Sequence, residues 1–303
     1  MGWVHAAAAA AAYVFSLYLL PAEVMALPRD DPRHVRGRLI ASLWVTACIV
    51  AATAAQLVFG AGAEPSAVVV MQRLGLSPDV LCTVQQSALG VCYMATLFLG
   101  PLVVSAMATH RAGMGFVKAL RSSLADWRLR FTHPSLRYHS VRNYVWAPLS
   151  EEIVFRGCVT ALLTAGDGGP SRWRCALLAP LLFGVAHLHH YFSRVSEGTP
   201  AGRARVETVV QLAYTWLFGF LAFLLLFGAG LPAAVGGHVF CNTMGLPDLS
   251  FLSKEGGYYS DLHGLRHGLL LAYVAGVVLF VIAMRRLTSD FGDDAEWWPR
   301  SRG

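Results

Sequence analysis

Two adjacent carboxylates and an arginine stand inside an otherwise apolar stretch, APLSEEIVFRG, at residues 147–157. Ionisable side chains in such surroundings are energetically costly, so they indicate a functional site that faces a cavity or the interior of a helix bundle. On a helix, Glu152 and Arg156 are four residues apart with the acid first, which favours an ion pair. Glu151 lies roughly 100° around the helix axis and cannot share that arginine equally. Glu151 is therefore the carboxylate left for general acid or base chemistry.

Two further polar clusters occur in later apolar stretches. The first is His187, at the end of FGVAH, with His189 and His190 just after it. The second is His238 with Asn242, in HVFCN. His238 and Asn242 are four residues apart, so on a helix they share one face and can direct hydrogen-bond donors at a common point. We expect His189 and His190 at the membrane interface, outside the chemistry.

The chemistry that these residue types allow together is hydrolysis. Glu151 and His187 can bind a water molecule and remove its proton. His238 and Asn242 can donate hydrogen bonds to the oxyanion of a tetrahedral intermediate. The candidate catalytic residues are therefore Glu151, His187, His238 and Asn242, with Glu152 and Arg156 in supporting roles.

Alternative roles for the same residues stay open. A single polar residue in a membrane helix commonly makes a helix–helix hydrogen bond. Glu151, His187 and His238 are a possible two-histidine, one-carboxylate zinc set, although no pair of them has the i, i+4 ligand spacing. Cys241, three residues after His238, is a possible thiol nucleophile. The sequence has no H-E-x-x-H, no G-x-S-x-G and no C-x-x-C among its scattered cysteines.

The composition is that of a membrane protein. Of the 303 residues, 55% are hydrophobic and only 14% are charged, and the mean hydropathy is +0.51. Soluble domains average about 25% charged residues. The net charge of +6 invites a nucleic-acid interpretation, but the charges lie in loops between apolar stretches, where positive residues set membrane topology. No basic–aromatic nucleic-acid motif is present, so we predict no nucleic-acid partner.

Apolar stretches recur along the chain and predict an all-α, polytopic transmembrane helix bundle of about eight spans. They lie at about residues 3–27, 39–59, 88–107, from 144 onward, 173–191, 209–227, around 236–247, and 265–284. No long polar block divides them, so we predict one integral membrane domain over 1–303. Its parts are N-terminal spans and a basic loop (1–140), a core that carries the motifs (141–249), and a last span with a tail (250–303). The first stretch is long and lacks Lys or Arg before its apolar run, which favours a retained helix over a signal peptide.

The basic loops suggest the orientation of the bundle. Residues 29–38 and 111–142 are rich in arginine and are separated by a nearly neutral segment, so both loops are expected in the cytosol. The alternation of spans then places all three polar clusters near cytosolic ends, at one level. This predicts a polar catalytic cavity open to the cytosolic side. Arg285 and Arg286 fit this topology poorly, because eight spans leave the tail outside the cytosol, and the segment 64–84 has no clear place.

The second basic loop contains a candidate surface helix. Residues 114–131 place Phe116, Leu120, Leu124 and Trp127 at helical spacing between basic residues. This pattern is typical of an amphipathic helix that lies in the membrane interface. A solvated helix packed on the bundle is the alternative.

The three clusters also resemble the motifs of a known family. EEIVFR (151–156) fits E-E-x-x-x-R, FGVAH (183–187) fits F-x-x-x-H, and HVFCN (238–242) fits H-x-x-x-N. In this order on successive spans, they resemble the type II CAAX prenyl endopeptidases. RNYVWAPLSEEIVFRGC, FGVAHLHH and HVFCNTMGLPDL are especially similar to the eukaryotic branch, the Ras-converting-enzyme type. The resemblance covers about residues 141–249.

The resemblance implies an endoplasmic reticulum membrane enzyme whose site is open to the cytosol. Its substrates would be small GTPase-like proteins ending in C-a-a-X, whose cysteine carries a farnesyl or geranylgeranyl group. Cleavage after that cysteine would release the last three residues. In this family, the residues at the positions of Glu151 and His187 activate water, and those at the positions of His238 and Asn242 form the oxyanion site. No metal or other cofactor is implied. A zinc-dependent membrane protease, a non-enzymatic membrane scaffold of the same superfamily and a transporter stay as alternatives.

Overall fold

The computed structural model describes residues 2–60, 67–165, 169–185 and 187–289. These residues form helices and no strand, which confirms the all-α fold. In chain order the α-helices are α1 Gly2–Ser16, α2 Ala22–Met25, α3 Pro32–Gly60, α4 Ala67–Arg73, α5 Val80–Leu97, α6 Leu99–Arg111, α7 Phe116–Thr132, α8 Arg137–Val141, α9 Ala147–Glu151, α10 Val159–Thr164, α11 Arg172–Val185, α12 His189–Ser196, α13 Ala201–Ala229, α14 Leu231–Met244 and α15 Arg266–Leu287. Two π-helical segments, Arg142–Trp146 and Glu152–Cys158, flank α9. Two 3₁₀ segments, Ser250–Leu252 and Ser260–Leu265, precede α15.

Several helical stretches can cross a membrane. Within the described part of the chain, five are long and apolar enough: Pro32–Phe59, Val80–Leu97, Arg172–Ser196, Ala201–Ala229 and Ser260–Leu287. This makes the chain a multi-pass helical membrane protein, as its composition predicted. The other predicted spans are also helical, but they are shorter or interrupted. The count of eight spans and the cytosolic opening of the cavity stay predictions, and the tail from residue 290 lies outside the described residues.

Two predicted spans have different boundaries in the structure. The first, at 3–27, is divided into α1 and α2, and the break falls just before Pro21, where the pyrrolidine ring disfavours helical geometry in the preceding residue. The third, at 88–107, is divided into α5 and α6, which meet at Phe98. Helix α5 begins earlier than predicted, because the Asp79 side chain accepts a hydrogen bond from the Leu81 amide at 2.8 Å and caps the helix.

The segment 64–84, which could not be placed from the sequence, packs against the N-terminus of α14 through its described residues. Helix α4 is followed by Leu74, which is buried, and by Gly75, whose φ of 76° reverses the chain. The Gly75 carbonyl accepts a hydrogen bond from the Leu231 amide at 2.8 Å. It thereby satisfies one of the free amides at the start of α14. Residues 61–66 lie outside the described residues.

Small residues let α5 and α14 approach closely. A Cβ atom added at Gly90 would lie 1.9 Å from the Ala233 carbonyl oxygen, and one added at Gly236 would lie 2.3 Å from the Ser87 carbonyl oxygen. Small residues permit this kind of backbone contact between membrane helices. Because α14 carries His238, the contact fixes the depth and rotation of that histidine.

The stretch with the paired carboxylates is helical but not regular. From Arg137 to Thr164 it runs through α8, a π-segment, α9, a second π-segment and α10. The second π-segment is Glu152–Cys158, and all its residues except Ile153 are buried. Single π-turns inside α-helices are frequent at functional sites. The side-chain directions here therefore differ from those of the regular α-helix that we expected for this stretch.

The predicted surface helix is α7. None of its residues is buried, and the apolar side chains of Phe116, Leu120 and Leu124 are exposed. This favours the membrane-interface interpretation over a helix packed on the bundle. At its C-terminal end, the Trp127 ring lies 4.9 Å from the ring of Tyr144 and so holds the helix beside the site-bearing stretch.

Candidate active site

The ion pair predicted between Glu152 and Arg156 is present and fully buried. Arg156 Nε lies 3.1 Å from Glu152 Oε2, and neither side chain has exposed surface. The contact lacks hydrogen-bond geometry, and no nitrogen of the guanidinium has a hydrogen-bond partner in the described part of the chain. Instead, three rings face the guanidinium carbon, at 4.3, 5.5 and 5.8 Å: those of Phe183, Phe218 and Phe223. The carboxylate and the ring faces together balance the arginine charge.

His238 lies between the two carboxylates. Its Nδ1 is 2.7 Å from Glu152 Oε1, and its Nε2 is 3.9 Å from Glu151 Oε2. A carboxylate oxygen accepts hydrogen bonds, so His238 donates to Glu152 through Nδ1. The imidazole orientation is thereby fixed, and Nε2 is directed toward Glu151. This contact joins residues 86 positions apart and was not predicted from the sequence.

His187 reaches the same region from the end of α11. Its Nδ1 is 2.8 Å from the backbone carbonyl of Phe183, one helical turn earlier. A carbonyl oxygen only accepts hydrogen bonds, so Nδ1 donates, and Nε2 is the nitrogen that can carry a lone pair. The Phe183 ring packs edge-on against the imidazole, with centroids 4.8 Å apart. His187 is thus positioned by the last turn of α11, with one nitrogen able to accept a proton.

Asn242 follows His238 by one turn of α14, as the spacing predicted. Its Nδ2 donates to the backbone carbonyl of Asn143 at 2.9 Å, a bond that spans 99 positions. An amide nitrogen carries two protons, so one donor is used to orient the side chain and a second is left. The second donor can reach a ligand in the cavity.

One cavity brings the predicted residues together. It has a volume of about 860 Å³, and its wall includes Glu151, His187, His238 and Asn242. Glu151 is only partly exposed, at 21% of its side chain. Apolar side chains make up much of the remaining wall, with Trp146 and Phe218 among them. A few polar groups converging in a mostly apolar cavity are typical of a small-molecule or peptide site.

The rival chemistries receive less support from the geometry. Among the residues that the structure describes, no three His, Cys, Asp or Glu side chains are grouped as metal ligands. Cys241 is partly buried and lies in the cavity wall. A thiol nucleophile needs a base within hydrogen-bond distance, and the nearby base on the same helix, His238, is directed at Glu151 and Glu152 instead.

Sequence reasoning missed some residues of the cavity wall. His190 was expected at the interface, but it lines the cavity, with its ring 5.8 Å from that of His187. The side chain of His189 lies outside the described residues. Three arginines also line the cavity: Arg29, Arg38 and Arg142. In the sequence these arginines served only as topology signals, and nothing in their spacing shows that the fold brings them to one place.

Comparison with known proteins agrees with the motifs. The family model described as type II CAAX prenyl endopeptidase Rce1-like matches residues 134–244. CAAX prenyl protease 2 of Homo sapiens is 32% identical over 296 residues, which cover 92% of this chain and 78% of the relative. Probable CAAX prenyl protease 2 of Schizosaccharomyces pombe is 31% identical over 248 residues, 79% of each chain. No solved structure matches this chain significantly. The similarity to full-length relatives, together with the three motifs around one cavity, shows that the chain belongs to the Rce1-like family of type II CAAX prenyl endopeptidases.

Proposed function

We propose that this protein is a membrane endopeptidase that removes the C-terminal tripeptide from prenylated CAAX proteins. The observation that carries the proposal is the convergence of Glu151, His187, His238 and Asn242 on one cavity. The relatives that cover most of the chain are themselves named CAAX prenyl proteases. Small GTPase-like proteins with a farnesyl or geranylgeranyl cysteine are the expected substrates.

In the first step, Glu151 and His187 activate a water molecule. The Glu151 carboxylate and the His187 Nε2 lone pair both serve as proton acceptors in the cavity. The water oxygen attacks the carbonyl carbon of the prenylated cysteine while its proton passes to this pair. When the tetrahedral intermediate collapses, the C–N bond breaks and the proton is returned to the departing amine of the tripeptide.

His238 and Asn242 stabilise the oxyanion of that intermediate. With Nδ1 of His238 donating to Glu152, Nε2 is the ring nitrogen that remains for the cavity, and it donates to the oxyanion when it carries a proton. The second amide proton of Asn242 supplies another donor. Preorganised donors of this kind stabilise developing charge without reorganisation during the reaction. Glu152 and Arg156 act behind the wall, by fixing His238 and the helix that carries Glu151.

The same proposal explains a location in the membrane. One integral membrane domain, 1–303, holds the site in the endoplasmic reticulum membrane with the cavity open to the cytosol. The exposed apolar helices contact lipid, so a prenyl chain can stay in or near the bilayer while the peptide enters the cavity. The basic loops and α7 support a cytosolic position for this face.

The test is cleavage of a prenylated CAAX peptide by the purified protein in lipid. We expect the prenylated peptide to be cleaved after the cysteine and the unprenylated peptide to be ignored. Glu151→Ala and His187→Ala should abolish turnover, whereas the matched cavity-wall variant Cys241→Ala should keep most of it. Mass spectrometry of the released tripeptide identifies the bond.

Three results would contradict this assignment. A wild-type protein that cleaves no prenylated peptide favours the non-enzymatic scaffold. Activity that disappears with a chelator and returns with zinc favours the metalloprotease. Loss of turnover in Cys241→Ala, with retained folding, favours a thiol nucleophile.

A further inference from the structure

Three arginines from separate elements meet in the wall of the catalytic cavity. Arg29 lies in the loop before α3, Arg38 lies in α3, and Arg142 begins the π-segment before α9. The three cations lie close enough for the charges of Arg29 and Arg142 to repel that of Arg38. Like charges brought together in a partly desolvated wall repel one another. An anion in the cavity would relieve that repulsion.

Two of the three arginines already have partners. Arg29 donates to the Ser193 hydroxyl at 2.6 Å, and that hydroxyl donates to a Glu197 carboxylate oxygen at 2.9 Å. Arg142 donates through Nε to the side-chain oxygen of Asn143 at 2.9 Å. Asp30 also acts on Arg142 electrostatically.

Arg38 is different. Its Nε is buried from solvent and has no hydrogen-bond partner among the described residues, and no carboxylate there forms an ion pair with it. The Tyr18 ring, 5.9 Å from the guanidinium carbon, is its close neighbour. A buried donor without an acceptor costs free energy. Arg38 therefore places a guanidinium with one buried, unpartnered N–H group in the wall of a peptide-sized cavity.

The spacing matches the part of the substrate that leaves. Arg142 precedes Glu151 by nine residues along continuous helix, so their Cα atoms are at most about 13 Å apart at the α-helical rise of ~1.5 Å per residue, and the π-helical turns shorten this distance. An extended tripeptide spans about 10–11 Å at ~3.3–3.6 Å per residue. When the scissile bond is at Glu151, the C-terminal end of the tripeptide lies within reach of the arginine side chains.

We propose that Arg38, with Arg29 and Arg142 beside it, binds the free α-carboxylate at the C-terminus of the substrate. The inference rests on the proposed function and adds the device that selects the end of a chain. A guanidinium binds a carboxylate through two parallel hydrogen bonds, which fix direction as well as charge. The distance from the arginines to Glu151 then selects the bond three residues from the end.

The test compares two prenylated CAAX peptides that differ only at the C-terminus, one a free acid and one an amide. For wild-type protein, kcat/KM should be about 10- to 100-fold higher with the acid peptide than with the amide peptide, as expected for hydrogen bonds to a charged group. In Arg38→Gln, acid cleavage should fall toward the level of the amide, with Arg29 and Arg142 supplying what preference remains, while amide cleavage stays within about twofold of wild type. Arg38→Lys keeps the positive charge but loses the two parallel N–H donors of the guanidinium, so it should retain part of the preference for the acid peptide. Arg36→Gln, an exposed arginine on the same helix, should keep the full preference.

Several outcomes would overturn the inference. Equal cleavage of acid and amide by wild type rules out carboxylate recognition, even if Arg38→Gln fails to fold. If Arg38→Gln keeps the wild-type ratio of kcat/KM between the acid and the amide, other residues recognise the carboxylate. Equal loss on both peptides indicates that Arg38 binds a lipid phosphate or supports the fold. If wild type cleaves neither peptide, the proposed function itself falls, and this inference falls with it.

Discussion

The buried ion pair behind the cavity wall gives the sharpest prediction. Replacing Arg156 by Met removes the cation and keeps much of the side-chain volume. The Glu152 carboxylate is then left with no exposed surface and no cation at 3.1 Å. At an effective dielectric constant of ~20, two unit charges at this distance interact by about 5 kcal/mol, which is an upper bound. Removal of one partner of a buried pair typically costs about 3–5 kcal/mol. We expect Arg156→Met to lower the free energy of unfolding by that amount.

The chain offers a matched control at the surface. Arg203 pairs with Glu207 at the same i, i+4 spacing and at 2.8 Å, but its side chain is 75% exposed. Exposed helix pairs contribute only about 0.3–0.5 kcal/mol. Arg203→Met should therefore change stability by less than about 0.5 kcal/mol. The expected losses of stability in the two arginine-to-methionine variants therefore differ by about 2.5 kcal/mol or more.

The assay is equilibrium unfolding in mixed micelles, with SDS as the denaturant and tryptophan fluorescence as the signal. A third variant, Glu152→Gln with Arg156→Met, leaves no unpaired buried charge, so it should recover about 1–2 kcal/mol relative to Arg156→Met alone. The free energy of unfolding of Arg156→Met could instead fall by less than about 1 kcal/mol, or by no more than that of Arg203→Met. The Glu152 carboxylate would then not be left as an unpaired charge in a low-dielectric interior. That result would refute the reasoning.

Three further predictions concern catalysis, packing and metal. Asn242→Ala should lower kcat on the prenylated peptide by about 10²–10³ with little change in KM; steady-state kinetics with an unchanged kcat would contradict the oxyanion role. Gly90→Ala should lose about 2–3 kcal/mol in the same micelle titration, because its Cβ would lie 1.9 Å from the Ala233 carbonyl oxygen. Gly202→Ala, where a Cβ meets open space, should be neutral or slightly stabilising, and equal losses in both would contradict the packing account. EDTA should leave the cleavage rate unchanged, and a loss that zinc restores would support a metal centre.

Local contacts were accessible from the sequence because a helix fixes which neighbours share a face. The Glu152–Arg156 pair is four residues apart and forms as predicted, even in a π-helical turn. His238 and Asn242 share α14 and both line the cavity. The amphipathic pattern of 114–131 likewise appears as α7. The composition alone was enough to predict a helical membrane protein. In lipid the backbone N–H and C=O groups must be hydrogen-bonded within the protein, and a helix satisfies them within one segment.

Helix ends were less accessible, because they depend on single capping and breaking residues. The Asp79 cap starts α5 well before the predicted span, and Pro21 separates two short helices where one long span was expected. The hydrophobicity of a stretch reveals neither a capping residue nor a proline break. The predicted number of spans depends on these boundaries.

Only the tertiary structure decided which polar groups meet. The Glu152–His238 hydrogen bond, the Asn242–Asn143 bond and the gathering of Arg38 with Arg29 and Arg142 join distant parts of the chain. These contacts depend on how closely helices approach and how each is rotated, which is set by small residues at interfaces and by close-packed side chains. Periodicity along one helix determines the face that a residue occupies. The partner that lies opposite that face is determined by the packing of the whole bundle.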